Sequence, residues 1–293
     1  MFDKRIAVRY DRVLHRNNTY IATRRAMFNR NRLVPKRDIN KLDAAQRVEL
    51  EAKITDARAA KIDLERYRDI SLERYQHMSA CHRYLFDFLG DVRGKRVLDV
   101  CCGYAMTPVM FALAGAEVVA NDVAPLTLEQ VRRVAVMHGV EDKIEFHCGP
   151  AEQMPYPDTS FDIIYGGAAI HHLLIDAAGR EFARLLRPGG RGAFKDPLGH
   201  NPLLEFVRDN VNYSNKHPAK GTDHPLKVAD IATFGSHFAT YSWRGFDFLM
   251  MGTRAVPKLW KFKRALEVFD TTLFDTVRPL QRYARFAVTC VTN

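Results

Sequence analysis

The sequence predicts an α/β protein built on an open, doubly wound, mostly parallel sheet. Three observations carry that expectation. Short apolar runs alternate with helical stretches from about residue 96 to residue 200. The preceding stretch, Asp43 to about Leu89, contains neither Pro nor Gly and repeats apolar residues at helical spacings among charges. Finally, 293 residues that are 47% hydrophobic and 27% charged suffice for a sizeable core, which excludes a disordered chain.

The elements follow in order. Residues 1–40 hold 11 basic and 3 acidic side chains, with Phe2, Tyr10, Tyr20 and Phe28 interleaved, and form a basic arm. Two or three helices occupy 43–89 and stop at Gly90 and Gly94. Strands are expected at Val97–Val100, Glu117–Ala120, Ile144–His147, Phe161–Tyr165 and Gly192–Lys195. Between them lie helices at Thr107–Ala114, Leu126–His138 and Ala178–Leu186, with a short piece near His172–Ala178. Asn210–Pro225, rich in Asn, Lys, Gly, His and Pro, reads as an exposed loop or lid. Two late strands, Ala239–Arg244 and Arg285–Val291, flank a helix from Lys258 to about Phe269.

Composition narrows the function classes. The net charge is +10, but residues 81–200 carry 12 basic and 15 acidic groups, so the centre is mildly acidic and the basic excess belongs largely to the arm. No window approaches the ~18 apolar residues of a membrane span, and Met1–Arg5 lacks an apolar signal region, so a cytoplasmic protein with no membrane partner is expected. Five cysteines, two of them adjacent, suit neither a disulfide framework nor a zinc site and read as free thiols; no metal is expected.

The informative stretch is Val97-Leu98-Asp99-Val100-Cys101-Cys102-Gly103-Tyr104-Ala105, a strand running into a small-residue turn and then a helix. A nucleotide-like ligand needs this arrangement, because backbone must approach it closely and a helix N-terminus offers unpaired N–H groups. Asp122 ends the next strand 19 residues past Gly103, near the offset at which a carboxylate reaches ribose hydroxyls. The dinucleotide pattern G-x-G-x-x-G fails, since Cys101, Gly103 and Met106 stand at its glycines.

The turn resembles motif I of the class I S-adenosylmethionine-dependent methyltransferases, with Cys101 and Ala105 where glycines are common. Further segments resemble that family in its own order. Asn121-Asp122-Val123 is similar to the ribose-binding acid and its neighbour. Gly149-Pro150-Ala151-Glu152-Gln153-Met154-Pro155 resembles the adenine-framing segment, with Pro150 in place of the usual acid. Ser160–Leu173 is similar to the fourth strand and its exit, Leu185–Gly190 to the turn before the fifth strand, and Asp196–Pro202 to the exit of some small-molecule enzymes.

The resemblance covers about residues 94–200 and implies a Rossmann-like, seven-stranded sheet with an antiparallel last strand, preceded by an N-terminal helical extension. Residues 1–90 would then be arm and helical cap, and 91–293 the methyltransferase domain with lid insertions near 200–240. The implied cofactor is S-adenosylmethionine, held by Asp99, Cys101, Gly103, Tyr104, Asp122, Val123, Ala151, Glu152 and Gly166. Tyr104 would border the cofactor's carboxylate or remain an exposed turn residue.

An acceptor that must lose a proton requires a base, and His171 and His172, just past the fourth strand, are the candidates. Adjacent residues on a strand or turn point apart, so one of the two is expected to act. Three functions compete. The first is methyl transfer to O, N or C of a small molecule, an anionic one among the options. The second is RNA methylation anchored by the basic arm, although no nucleic-acid module is identifiable. The third is a non-catalytic cofactor-binding scaffold. Oligomeric state leaves no trace in the sequence.

Overall fold

The computed structural model describes residues 44–210, 225–251, 253 and 257–293. The basic arm expected at 1–40 and nearly all of the loop expected at 210–225 lie outside the described residues. The pre-strand helices are α1 (Ala44–Ala59), a 3-10 turn (Leu64–Tyr67), α2 (Leu72–Gln76) and α3 (Ala80–Leu89). Ser71 and Ser79 cap α2 and α3, each hydroxyl accepting the backbone N–H three residues on. Gly90 ends α3 at φ 76°, a left-handed backbone that glycine adopts without a Cβ clash.

The alternating region then gives β1 (Arg96–Asp99), α4 (Thr107–Leu113), β2 (Glu117–Asp122), α5 (Pro125–Met137), β3 (Ile144–Cys148), β4 (Phe161–Gly167), α6 (Ile175–Leu185) and β5 (Leu186–Pro197). Beyond it follow α7 (Pro202–Asn210), α8 (Val228–Gly235), β6 (Thr240–Phe246), α9 (Lys263–Thr276) and β7 (Phe286–Thr292). The seven strands form one sheet in the order β3-β2-β1-β4-β5-β7-β6. All neighbours from β3 to β5 are parallel, and β7 runs antiparallel to both β5 and β6. Carboxyl ends of the parallel strands therefore share one edge, where α/β proteins bind ligands.

Two core layers sandwich this sheet. Val97, Tyr165 and Ala193 face Leu85 and Phe86 of α3, Phe111 of α4 and Val131 of α5. Leu98, Ile164 and Phe194 face Phe182 of α6, Phe234 of α8 and Phe274 of α9. This is the alternation expected of strands covered on both faces. Because Cys81, Leu85, Phe86 and Leu89 belong to the first layer, α3 is as much a part of the sheet's core as α4. No helix among the described residues is long and apolar enough to cross a membrane.

Several elements differ from expectation: α7 and α8 lie where no helix is expected, and α6 begins at Ile175 rather than Ala178. The fifth strand is longer than Gly192–Lys195, because Leu186 already pairs with Phe161 before a register shift restores pairing at Arg191. The late helix starts after a 3-10 turn at Pro257–Phe262 and runs on to Thr276.

Candidate active site

The turn after β1 is held in an unusual backbone. Cys101, Gly103 and Met106 all have left-handed φ, at 49°, 53° and 61°. Cross-links to both neighbouring strands stabilise it: Val100 N–H donates to Tyr165 O and Cys102 N–H to Asn121 O, both at 2.9 Å. A non-glycine residue in that region costs about 1–2 kcal/mol. Cys101→Gly is therefore expected to raise unfolding free energy in urea by up to about 1 kcal/mol, once the greater freedom of glycine in the unfolded chain is deducted. Equal or lower stability would show that Cys101 sits there unstrained.

Asp122 closes the turn from β2. Its carboxylate accepts the N–H of Gly103 at 2.9 Å and of Ala124 at 2.9 Å. Burial raises its pKa, against the lowering effect of those backbone donors. Asp99, fully buried, accepts the Thr107 hydroxyl at 2.5 Å through Oδ2, while its Oδ1 has no hydrogen bond among the described residues. Burial pushes the Asp99 carboxyl up to about 8, outweighing the Thr107 hydrogen bond, and the Asp122 charge adds to the rise. The Cys101 thiol is driven well above its ordinary range, first by burial and then by the charges of Asp122, Glu152, Asp196 and Asp99. Cys101 thus stays a neutral thiol amid four carboxyl groups.

His171 and His172 lie on a 3-10 turn, Ile170–His172, directly beyond β4. On that tight turn their side chains do not diverge as expected: the ring centroids are 4.0 Å apart at an interplanar angle of 41°. His171 is buried and donates Nδ1–H to Asp196 Oδ1 at 2.7 Å, and its backbone N–H reaches the same oxygen at 3.2 Å. Asp196 comes from β5, brought alongside by the pairing of Gly167 with Lys195. On the other side, His172 Nδ1 lies 3.6 Å from Glu51 Oε1 of α1.

The remaining expected site residues are placed as follows. Tyr104 is exposed on the turn, and its carbonyl accepts the hydroxyl of Tyr67 at 3.0 Å. Val123 follows Asp122, its carbonyl 3.8 Å from the Cys148 thiol. Ala151 is buried, and Glu152 accepts the N–H of Leu174 ahead of α6. Gly166 is buried, and a Cβ there would lie 2.8 Å from Phe194 and 3.2 Å from Val100, so packing alone requires the glycine. Sequence reasoning missed Asp196 as a site residue, along with Glu51 and Thr107. The only available signal was Asp196 in the segment after the fifth strand.

Comparison with known proteins bears on this geometry. The methyltransferase-domain family profile matches residues 98–194, the segment from β1 into β5 that holds the turn, Asp122 and both histidines. Residues 98–194 are thus similar to the methyltransferase domain, on a fold shared with class I S-adenosylmethionine-dependent methyltransferases. The chain is 33% identical over 128 residues to the 27-O-demethylrifamycin SV methyltransferase of Amycolatopsis mediterranei, covering 40% of this chain and 46% of that protein. It is 34% identical over 139 residues to the ubiquinone/menaquinone biosynthesis C-methyltransferase UbiE of Hahella chejuensis, covering 45% and 55%. The chain thus spans about half the length of the curated relatives it matches.

The fold is shared with an S-adenosylmethionine-dependent methyltransferase of Mesorhizobium loti, at TM-score 0.50 and 17% identity over 76% of this chain and 100% of that one. It is also shared with Haemonchus contortus phosphoethanolamine N-methyltransferase 2, at TM-score 0.52 and 14% identity over 76% and 56%.

The site suits a cationic cofactor on its own chemistry. S-adenosylmethionine carries a sulfonium and an ammonium, and the turn is ringed by carboxyl groups. The bare Oδ1 of Asp99 is an acceptor awaiting a donor that the described residues do not supply. Asp99 would hold the amino end and Asp122 the ribose hydroxyls.

Proposed function

We propose that this methyltransferase moves a methyl group to a hydroxyl oxygen of a small-molecule acceptor, with His171 as general base. The observation that carries the reading is the buried His171–Asp196 pair at 2.7 Å. A carboxylate on Nδ1–H fixes the imidazole tautomer and leaves Nε2 as the proton acceptor. When bound, the cofactor supplies an electrophilic methyl on a sulfonium sulfur. His171 Nε2 takes the hydroxyl proton as the oxygen–carbon bond forms and the carbon–sulfur bond breaks; Asp196 balances the resulting imidazolium. No large charge develops at sulfur, so orientation and exclusion of water supply most of the acceleration, for which ~7–11 kcal/mol is attainable.

The helices before β1 serve in this reading as a cover over the cofactor turn, which the Tyr67 hydroxyl already clasps.

Release of S-adenosylhomocysteine from S-adenosylmethionine, measured over a panel of phenols, alcohols, amines and enolisable carbon acids, tests the proposal. Hydroxyl acceptors should turn over and their O-methylated forms should not; turnover confined to amines or carbon acids overturns it. Calorimetry that detects no S-adenosylhomocysteine binding at near-millimolar concentration would overturn the methyl-transfer reading, to small molecule or RNA alike.

A further inference from the structure

His172 is not idle beside the His171–Asp196 pair, because α1 brings a carboxylate to it. Glu51 points inward from that helix with a side chain only 16% exposed, and its Oε1 lies 3.6 Å from His172 Nδ1. Desolvating a carboxylate costs free energy unless an interaction offsets it, and the cationic form of an imidazole is such a partner. His172's ring in turn lies 4.0 Å from that of His171. The result is a line of four groups from three elements: Glu51 on α1, His172 and His171 on the turn after β4, and Asp196 on β5.

One turn farther along α1, Asp56 docks the helix. Its Oδ1 accepts the N–H groups of Leu126 and Thr127 at 2.9 and 3.3 Å, in the first turn of α5, the helix that follows the ribose acid Asp122. A single helix therefore touches both the adenosine side of the site and its histidines.

We infer that Glu51 is a positioning residue for proton transfer: it sets His172, whose ring backs His171 against Asp196, so the base is fully assembled only while α1 is seated. The inference rests on the reading of His171 as the base. The proton still goes to His171 Nε2, and Glu51 touches no reacting atom. Its effect is orientation, and misplacement of a reacting group by about 1 Å can cost about 100-fold in rate.

The test uses Glu51→Gln in the full chain, with Glu51→Asp as the conservative control. In the S-adenosylhomocysteine complex, the ring ¹⁵N resonances of both His172 and His171 should move in Glu51→Gln and largely return in Glu51→Asp, while cofactor affinity and Tm stay at wild-type values. With a hydroxyl acceptor from the panel, kcat should fall by about 10- to 100-fold at unchanged KM. The acidic limb of the pH profile should move to lower pH, since a negative charge facing the histidines has gone and the base loses its proton sooner. Unmoved resonances overturn the inference, as does a loss of Tm and cofactor affinity that accounts for the whole rate loss. Full activity in His171→Ala would instead overturn the base assignment, leaving a different signature.

Discussion

His171→Ala lowers kcat by about 10²- to 10⁴-fold while leaving S-adenosylhomocysteine affinity unchanged; that is the expected result, and its size is what a positioned general base supplies. The reasoning is geometric. His171 is buried, its Nδ1–H is committed to Asp196, and its backbone N–H secures the same carboxylate oxygen, so the ring has one orientation. Asp196→Asn should cost a comparable factor, because an amide can present N–H to Nδ1 and stabilise the wrong tautomer. Single-turnover rates at saturating cofactor, with calorimetry as the control for cofactor binding, separate chemistry from affinity. Wild-type rates in both variants would mean that the acceptor arrives already deprotonated.

Asp99→Asn is expected to do two opposite things. Asp99 is fully buried and its carboxyl titrates at about 8. Below the ordinary unfolded value near 4 both states are protonated and the residue costs nothing. Between about 4 and 8 the folded chain keeps a proton that the unfolded chain has lost, so stability falls as pH rises through that window, and above 8 the whole cost, a few kcal/mol, is present. The isosteric amide removes this cost. Cofactor-free Asp99→Asn should therefore melt above the wild type, with a gain far larger at pH 9 than at pH 5. Its cofactor affinity should drop by roughly 10- to 100-fold, the worth of a charge-assisted hydrogen bond to an ammonium. An equal gain in Tm at both pH values would mean that Asp99 ionises normally.

Most of the sheet is legible in the sequence because each apolar run ends at a turn residue that fixes its length. The expected β1, β2 and β3 begin within one residue of their positions, as do α4 and α5. The fifth strand is read short because Arg187-Pro188-Gly189-Gly190 looks like a turn, and it is one locally, with Gly189 at φ 75°, while Leu186 before it already pairs with Phe161. The turn proposed to hold the cofactor is equally legible as structure, since Asp99, Gly103 and Asp122 lie in a local pattern whose spacing the β-α-β unit dictates. The acceptor side is not. Asp196 reaches His171 only because β4 and β5 are neighbours in parallel register, and Glu51 reaches His172 only because α1 folds across the carboxyl edge. Neither approach has a spacing to betray it. The side-by-side histidines were hidden for a related reason, since a 3-10 turn sets successive side chains at a narrower angle than a strand does.

The strand order also governs how the molecule can assemble. β7 enters between β5 and β6, bonding to both along its whole length, although it follows both in sequence. Until Phe286–Thr292 arrives, β6 has no neighbour and the edge of β5 that carries Asp196 is open. The outer edge of β5, on the side away from β4, is consequently covered by the latest long-range pairing of the fold, made after a loop closure that slows the search for native contacts. A nascent chain can therefore pair β4 with β5, and His171 with Asp196, while two strand edges still stand open to other chains, and Phe286–Thr292 closes both at once.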